Sequence, residues 1–577
     1  MKERLSAALA EILRRELEAA GDTSALPLFS LDVPRQPEHG DFSTNAALVL
    51  SKRLRRPPRE LAESLALALA GEKDFVSRVE VAGPGFVNVW LAGERWHDLL
   101  REILRAGVAF GRNPAAHRER VQVEFVSANP TGPLTLGHGR QAVLGDTLAR
   151  LIELRGHDVT REYYFNDGGR QMRVLGDSVK ARYLELLGRA APPPSDALAD
   201  ASLPWPAEID GLPLAFPRDG YQGGYIQEIA ASLHEAHGDT LLDEPGEGLF
   251  REAAQGRIFE EIKLTLHNLG ISFDVYYDET SLYATGKLEE TKEALRAKGL
   301  VYEAEGATWL RATALGLDRD RVIVKRTGEP TYLLPDIAYH RDKFARGFER
   351  VIDVQGADHI EQFPFVRAAA AALGCDPDRI ELVMHQFVTL TRGGAQVKQS
   401  TRRATYVTVD ELLAEVGCDV FRFFMIQRKA DGHLDFDVDL ARDHDWKKNP
   451  AYYVQYAHAR TFGIARKAGE QGIALPSADE IDASRLALPA ELDLLRKLRE
   501  WPDVVARAAD SREPHHAAYY LRELAALWHP YLQDGVRHRV LSEDAGLTAA
   551  RLGLVLAVRS VLAGGLTLLG LSAPELM

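Results

Sequence analysis

The chain has 577 residues, 46% of them hydrophobic, and a formal net charge of −14. That length accommodates about three or four domains with cores of ordinary size, and the acidic balance argues against indiscriminate nucleic-acid binding while leaving room for a local basic face. Cys375 and Cys418 are the only cysteines; far apart and without a Cys or His at metal-ligand spacing, they support neither a disulfide framework nor a structural zinc site and point to a reducing cytoplasm.

Residues 1–105 form a first unit. Leu5, Leu9, Ile12 and Leu13 recur at helical spacing, but Glu3, Glu11 and Glu16 among them are wrong for a signal or transit peptide, so the segment is expected to fold with the rest. Helical stretches flank Gly40-Asp-Phe-Ser-Thr-Asn-Ala46, and Val79 to Trp90 alternates as a strand. Lys52, Arg53, Arg55, Arg56 and Arg59 cluster positive charge nearby; taken alone, such a cluster is a solvated helix face.

Residues 106–190 alternate strand, helix, strand, helix, the first half of a doubly wound sheet. Val121, Val123 and Phe125 alternate as a strand, Ser127 to Pro133 is turn-rich, and an apolar helical pattern runs from about Gly139 to Leu154. A strand that feeds a helix N-terminus through such a loop makes an anion site, because the first backbone N–H groups are unpaired and the macrodipole is positive there. Gly137 lets a ligand approach the backbone closely, and His138 places an imidazole beside it.

Residues 191–320 read as an inserted module, entered through a Pro-rich stretch (Pro192 to Pro217) and carrying a helical pattern from Gln227 to Gly270, Phe273-Asp-Val-Tyr-Tyr277, and a hairpin about Glu305-Gly306. Residues 321–405 are expected to supply the second half of the sheet, beginning near Val322. There Tyr332 to His340 closes a strand and starts a helix with Pro335 in its first turn, Val351 to His359 repeats that design, and Glu381 to His385 is a further apolar strand. A Gly-rich loop follows, Gly393 to Arg403, whose Lys398, Arg402 and Arg403 suit a mobile clamp on a triphosphate. Residues 406–448 read as a helical connection and 449–577 as an all-α domain. The apolar stretch Leu552 to Leu571 carries Arg559 near its centre and is broken by Gly564-Gly565, so a buried terminal helix is expected rather than a membrane span.

Ala128-Asn-Pro-Thr-Gly-Pro-Leu-Thr-Leu-Gly-His138 resembles the "HIGH" region of class I aminoacyl-tRNA synthetases in the long form of arginyl-tRNA synthetases. The resemblance continues through Gly145-Asp146, Thr160 to Gln171, Tyr221-Gln-Gly-Gly-Tyr225, Gly356-Ala-Asp-His359 and Asn449 to Arg460. Lys398-Gln-Ser-Thr-Arg402 resembles the second signature, "KMSKS". Three positions depart from the family: Thr135 stands where the first signature histidine is usual, Gln399 replaces the Met, and Thr401 replaces the second Lys.

The resemblance implies an α/β protein: a Rossmann-type, doubly wound parallel-sheet catalytic domain, an α+β N-terminal domain that contacts the outer corner of tRNA, and an all-α anticodon-binding domain. It implies ATP-dependent activation of L-arginine to arginyl-adenylate and transfer to the 3′ end of tRNA(Arg), with Mg²⁺ accompanying ATP and no bound zinc. The expected protein is a cytoplasmic monomer with no membrane association. Catalysis falls to His138, Lys398, Arg402 and Arg403. Arginine contacts fall to Glu124, Ser127, Asn129, Tyr332, Asp336 and Gln355, since a guanidinium needs planar carboxylate partners. ATP contacts fall to Thr135, Gly137, His138, Gly356, Asp358, His359, His385, Lys398 and Ser400. Lys447, Lys448, Tyr456 and Arg460 are assigned to tRNA, although Tyr453, Tyr456 and Arg460 also follow the spacing of core residues. For Glu124 the alternative is a partner for an internal arginine or lysine. For the whole chain the alternatives are a tRNA-binding protein that has lost activation, and an enzyme that adenylates a small molecule without RNA.

Overall fold

The computed structural model describes residues 1–34, 36–199, 203–357, 360–397 and 406–577. At the N-terminus, helix Lys2–Ala19 buries Leu5, Leu9, Leu13 and Leu17, one side chain per turn, in the core beside helices Ala46–Leu54 and Pro58–Ala70 and a four-stranded antiparallel sheet. The strand expected over Val79 to Trp90 is a hairpin, Val76–Ala82 paired with Phe86–Leu91. Gly83 and Gly85 at its tip have φ of 52° and 153°, which interrupts the alternation and reverses the chain. Three members of the basic cluster are committed inside this unit, Arg53 to Asp22, Arg56 to Glu16 and Glu60, and Arg59 to Glu63.

The central sheet is wholly parallel and five-stranded. In chain order its elements are β1 (Arg120–Glu124), α1 (Leu136–Leu154), β2 (Asp158–Phe165), α2 (Gly169–Leu186), β3 (Val275–Asp278), α3 (Leu333–Ala345), β4 (Arg350–Gly356), α4 (Phe363–Ala372) and β5 (Ile380–His385). The strands lie in the order β5-β4-β1-β2-β3, so the winding reverses between β1 and β4, and the crevice at their carboxyl ends is where a doubly wound sheet binds ligands. Helix α1 starts at Leu136, three residues before the apolar pattern. It closes on the sheet at Gly145, where a Cβ would overlap the Phe125 ring.

Two expectations about this sheet are corrected. Strand Arg321–Val324 does not open its second half; it pairs antiparallel with Ala307–Leu310, which with Val301–Ala304 forms a separate three-stranded sheet around the Glu305-Gly306 turn. Conversely β3, within the stretch read as an insertion, is an edge strand of the central sheet. The stretch read as a helical connection also contains a strand, Leu434–Asp437, parallel to Val388–Arg392.

The C-terminal part is built on helices α5 (Pro450–Glu470), α6 (Pro489–Asp510), α7 (His515–Gln533) and α8 (Ala545–Leu568). Helix α8 is apolar and long enough to cross a membrane, yet Leu552, Leu554, Val555, Val558, Val561, Leu562 and Leu566 are buried in the core. Arg559 bonds Thr461 of α5 through Nε to Oγ1 (3.2 Å) and Nη2 to the carbonyl (3.1 Å). Gly564 and Gly565 do not break the helix; they admit the Val108 carbonyl and the Leu521 side chain, which a Cβ would displace. Buried Arg422 joins the two halves, donating to Asp146 of α1 (2.6 Å) and to the carbonyls of Leu269 (2.8 Å) and Leu569 (3.0 Å). The N-terminal unit docks on α6 through Asp41, which accepts from Arg496 Nε at 2.9 Å and from the Leu91 N–H at 2.8 Å.

Candidate active site

Strand β1 delivers Glu124 to the crevice and then turns sharply. Val126 and Ser127 have φ of 68° and 41°, a conformation that costs a β-branched residue on the order of 1–3 kcal/mol and persists only where the surroundings impose it. The turn brings the Ser127 hydroxyl back to donate to Glu124 Oε1 (2.9 Å), and the Ser127 hydroxyl oxygen in turn accepts the Tyr164 N–H (3.2 Å). Asn129 donates its amide to Gln171 of α2 (2.8 Å), while Tyr163 of β2 fixes the loop through the Ala128 carbonyl (2.7 Å). Tyr225 reaches the same loop at the Thr131 carbonyl (2.7 Å).

At the head of α1 the N-cap residue is Thr135. Its N–H donates to His138 Nδ1 at 3.2 Å, and its hydroxyl lies 3.2 Å from the same nitrogen. An N–H can only donate, so Nδ1 accepts and the neutral ring carries its proton on Nε2. Among the described residues, a Cβ at Gly137 would meet only Thr135 Oγ1, at 3.8 Å. The glycine is thus not required by packing and leaves room above the first turn for a close guest.

The second signature lies outside the described residues: Lys398, Ser400, Arg402 and Arg403, as do Asp358 and His359. The chain beyond that loop meets the first signature, because Thr408 bridges Thr135 and the Val409 N–H donates to the Leu134 carbonyl at 2.9 Å. Gln355 and Gly356 end β4 half-buried, and Gly356 stands in register with buried His385 at the end of β5. Tyr332, 62% exposed, caps α3, and Asp336 lies in that helix's first turn.

The electrostatic centre of the crevice is a row of acids. Asp353, Glu124 and Glu162 stand side by side in register on β4, β1 and β2. Helix α3 covers the row with its own charged and polar groups. Lys343 Nζ donates to Glu124 Oε2 (2.6 Å) and Asp353 Oδ1 (2.7 Å), and His340 Nε2 lies 2.8 Å from Asp353 Oδ2. Arg346, just past the helix, takes Glu162 bidentately (2.6 and 2.7 Å), and Tyr339 OH donates to Glu162 at 2.5 Å. Lys343, Asp353 and Glu162 are completely buried, so each depends on its partners for charge compensation.

These surroundings spread the acid strengths apart. Burial works against Asp353, but Lys343 and His340 outweigh it and hold the carboxyl well below the usual range. Burial pushes Glu124 up, opposed by Lys343 and reinforced by Asp353. Among the described residues no cation pairs directly with Asp336: burial, then repulsion from Glu124 and Glu279, raise it to about 7 against the pull of His340 and a hydrogen bond from the Gln362 amide. Glu279, itself raised by burial, accepts from Tyr164 OH (2.7 Å) and Asn166 (2.8 Å). Among the described residues these carboxylates outnumber their cationic partners, and a planar cation can address several carboxylates at once.

Sequence reasoning placed Glu124, Ser127, Tyr332, Asp336, Gln355, Gly356 and His385 on strand ends, strand-end turns or helix starts, which the fold gathers at one edge of the sheet. It also weighed an internal partner for Glu124, and Lys343 is that partner. It missed Lys343, His340, Asp353, Glu162 and Glu279. An acid inside an apolar strand, the feature that singled out Glu124, also marks Asp353 between Ile352 and Val354, whereas Glu162 follows Thr160 and Arg161 and carries no such signal. Lys447, Lys448, Tyr456 and Arg460 lie elsewhere. Trp446 packs on Tyr456 (4.5 Å between ring centroids), Arg460 lies over Tyr456 and Lys447 over Trp446, beside a cleft of about 520 Å³ lined by Lys447, Lys448, Tyr453, Tyr519, Arg522 and Glu523. Glu513, His515 and His516 also present ligand-type atoms within 4.8 Å of one another, but Lys429 Nζ, 3.2 Å from Glu513, already supplies a cation there.

The parallel sheet, its reversal at β1 and β4, and a Gly-His helix start facing the crevice define the catalytic fold of a class I aminoacyl-tRNA synthetase. Residues 100–190 and 240–427 match the family described as "tRNA synthetases class I (R), catalytic domain". Residues 2–91 match "Arginyl tRNA synthetase N terminal domain" and 454–577 "DALR anticodon binding domain". The chain belongs to the arginyl-tRNA synthetase family. It is 49% identical over 549 residues to an arginine–tRNA ligase of Desulfotalea psychrophila, covering 95% of each chain. With that of Salinibacter ruber it shares 46%, covering 98% of this chain and 99% of the other. The Thermus thermophilus arginyl-tRNA synthetase superposes along the full length of both chains with a TM-score of 0.74 at 26% identity.

Proposed function

We propose that the crevice between β1 and β4 activates L-arginine with ATP and passes it to the 3′ end of tRNA(Arg), with Asp336 as the principal partner of the guanidinium. The observation that carries this reading is the difference between the two carboxylates. Glu124 is already bonded to Lys343 and Ser127, whereas Asp336, raised to about 7, has only an amide donor on its side chain among the described residues. A guanidinium arriving at Asp336 completes an ion pair that the described residues do not supply. Glu124, each of whose oxygens retains a lone pair, takes a second donor.

In the first step the arginine carboxylate attacks the α-phosphate, and pyrophosphate leaves. The chain positions the reactants and stabilises phosphate charge rather than forming a bond itself. His138 donates from Nε2 toward the phosphates above the first turn of α1, and the cations of the second signature, Lys398 with Arg402 or Arg403, close on the pyrophosphate end. Mg²⁺ enters with ATP. In the second step the terminal ribose of tRNA attacks the acyl group, with Lys447, Lys448, Tyr456 and Arg460 holding the anticodon part and the N-terminal unit the outer corner. The protein acts as a monomer in the cytoplasm. Arginine-dependent AMP release and arginyl-tRNA formation, measured with and without tRNA(Arg), test the reading. AMP release with no charged tRNA points to a small-molecule adenylating enzyme, and tRNA binding without either product to a binding protein.

A further inference from the structure

We infer that Lys343 is a positioning residue of the arginine site: its buried ammonium, anchored by Asp353, keeps the Glu124 carboxylate ionised and oriented for the guanidinium. The inference rests on the reading of this crevice as the arginine site. Lys343 touches no substrate position itself. It lies two turns along α3 from Asp336, fully buried, with its ammonium 4.3 Å from the centre of the Tyr339 ring.

The geometry gives the lysine two separable tasks. One is to neutralise Asp353, which also faces His340. The other concerns Glu124. This carboxylate is met by Lys343, His340, Asp336 and Tyr339 from α3, Asp353 from β4, and Tyr164 from β2, with the Ser127 hydroxyl at its other oxygen. Of these, Lys343 is the only cation in hydrogen-bond contact with Glu124 among the described residues. Without it, Glu124 would be a buried acid among other acids, and such a group takes up a proton instead of remaining charged. A protonated Glu124 offers the guanidinium no counter-charge. Its proton would also occupy a lone pair that the substrate requires. Helix α3 therefore carries both Asp336 and the ammonium that sets the charge of Glu124.

The test is equilibrium binding of arginine and, separately, of ATP to the full chain between pH 7 and 9. The proteins compared are the wild type, Glu124→Gln, Lys343→Met and the double variant Lys343→Met/Asp353→Asn. The double variant removes one cation and one anion, leaving the net charge of the trio unchanged, and serves if the single variant does not fold. At pH 7.5 both lysine variants are expected to bind arginine about tenfold or more weakly, roughly one charged hydrogen bond, with ATP affinity unchanged. Expressed against wild type at each pH, the deficit should shrink as the pH rises and Glu124 loses its proton; the substrate's own titration cancels in that ratio. Wild-type arginine affinity in the double variant would show that the lysine serves only Asp353 and overturn the inference. A deficit constant across pH would overturn it too, since a packing defect does not titrate. If Glu124→Gln weakens arginine binding while the lysine variants do not, this inference alone fails; if Glu124→Gln binds arginine normally, the arginine-site reading fails with it.

Discussion

Arginine affinity should fall as the pH drops below 7, and Asp336 should be the reason. Burial and the neighbouring Glu124 and Glu279 raise this carboxyl to about 7 in the ligand-free chain. Only the ionised form pairs with a guanidinium. Apparent affinity therefore scales with the ionised fraction, which for a group of that strength is about 0.9 at pH 8 and about 0.1 at pH 6. The sign follows: the cation favours the charged form, so binding expels a proton at low pH, and the dissociation constant rises about tenfold from pH 8 to pH 6. Calorimetric titration with arginine in two buffers of different ionisation heat measures both the affinity and the proton released. In Asp336→Asn the affinity should be weaker by about ten- to a hundred-fold at pH 8, the value of a charged hydrogen bond of roughly 1.5–3 kcal/mol, and nearly independent of pH. A wild-type dissociation constant that is flat from pH 6 to 8, or the same slope in Asp336→Asn, refutes the reasoning.

Glu124→Gln should raise the arginine KM by about tenfold or more while sparing that of ATP, because a guanidinium donor then faces a neutral amide beside an ammonium; equal effects on both substrates would contradict it. His138→Ala should slow adenylate formation about 10²–10³-fold, the usual effect of losing a preorganised donor, whereas Thr135→Ala should cost far less because the Thr135 backbone N–H remains on His138 Nδ1; single-turnover rates separate the two. Lys398→Ala and one of Arg402→Ala or Arg403→Ala should each slow activation about 10²–10³-fold with little change in arginine affinity, and normal rates in both arginine variants would show that the loop works without a second cation. Asp41→Ala should lower thermal stability by roughly 2–4 kcal/mol, since buried Asp41 accepts from Arg496 and the Leu91 N–H; an unchanged melting temperature would show that this contact does not hold the N-terminal unit.

The catalytic half was legible where side-chain type conflicts with its surroundings. Glu124 in an apolar strand, Asp336 at a helix start and Gly137-His138 after a turn-rich loop each stood out for that reason. Lys343 did not, because a lysine in an amphipathic helix reads as solvent-facing until the sheet beneath it is known to carry acids in register. The same limit explains strand Arg321–Val324. Local sequence shows a strand ending before a helix, but only pairing decides that it joins Ala307–Leu310 rather than the parallel sheet. In the hairpin Val76–Ala82 and Phe86–Leu91, alternation continued on both sides of the turn and hid it. The Gly564-Gly565 pair looked like a break because nothing in the sequence shows that Val108 and Leu521 press there.

The substitution of Thr135 for the usual first signature histidine becomes intelligible from what the position does here. As the N-cap of α1 it has to turn the chain, present an N–H to His138 Nδ1 and contribute one small polar group. A threonine does all three, and it is among the residues that favour an N-cap. An imidazole at the same position could add a second donor toward the phosphates, which threonine can reach only with a shorter hydroxyl. On the proposed reading of this crevice, the cationic side of the triphosphate site would then depend more heavily on the second signature, where two adjacent arginines stand beside the replaced lysine. An arginine fork can reach displaced oxygens bidentately. On that reading the two departures would be linked by one requirement: enough positive charge at the β- and γ-phosphates as pyrophosphate leaves. Thr408, bridged to Thr135, ties the far end of that loop to the helix start, so the parts that share the requirement also share an anchor.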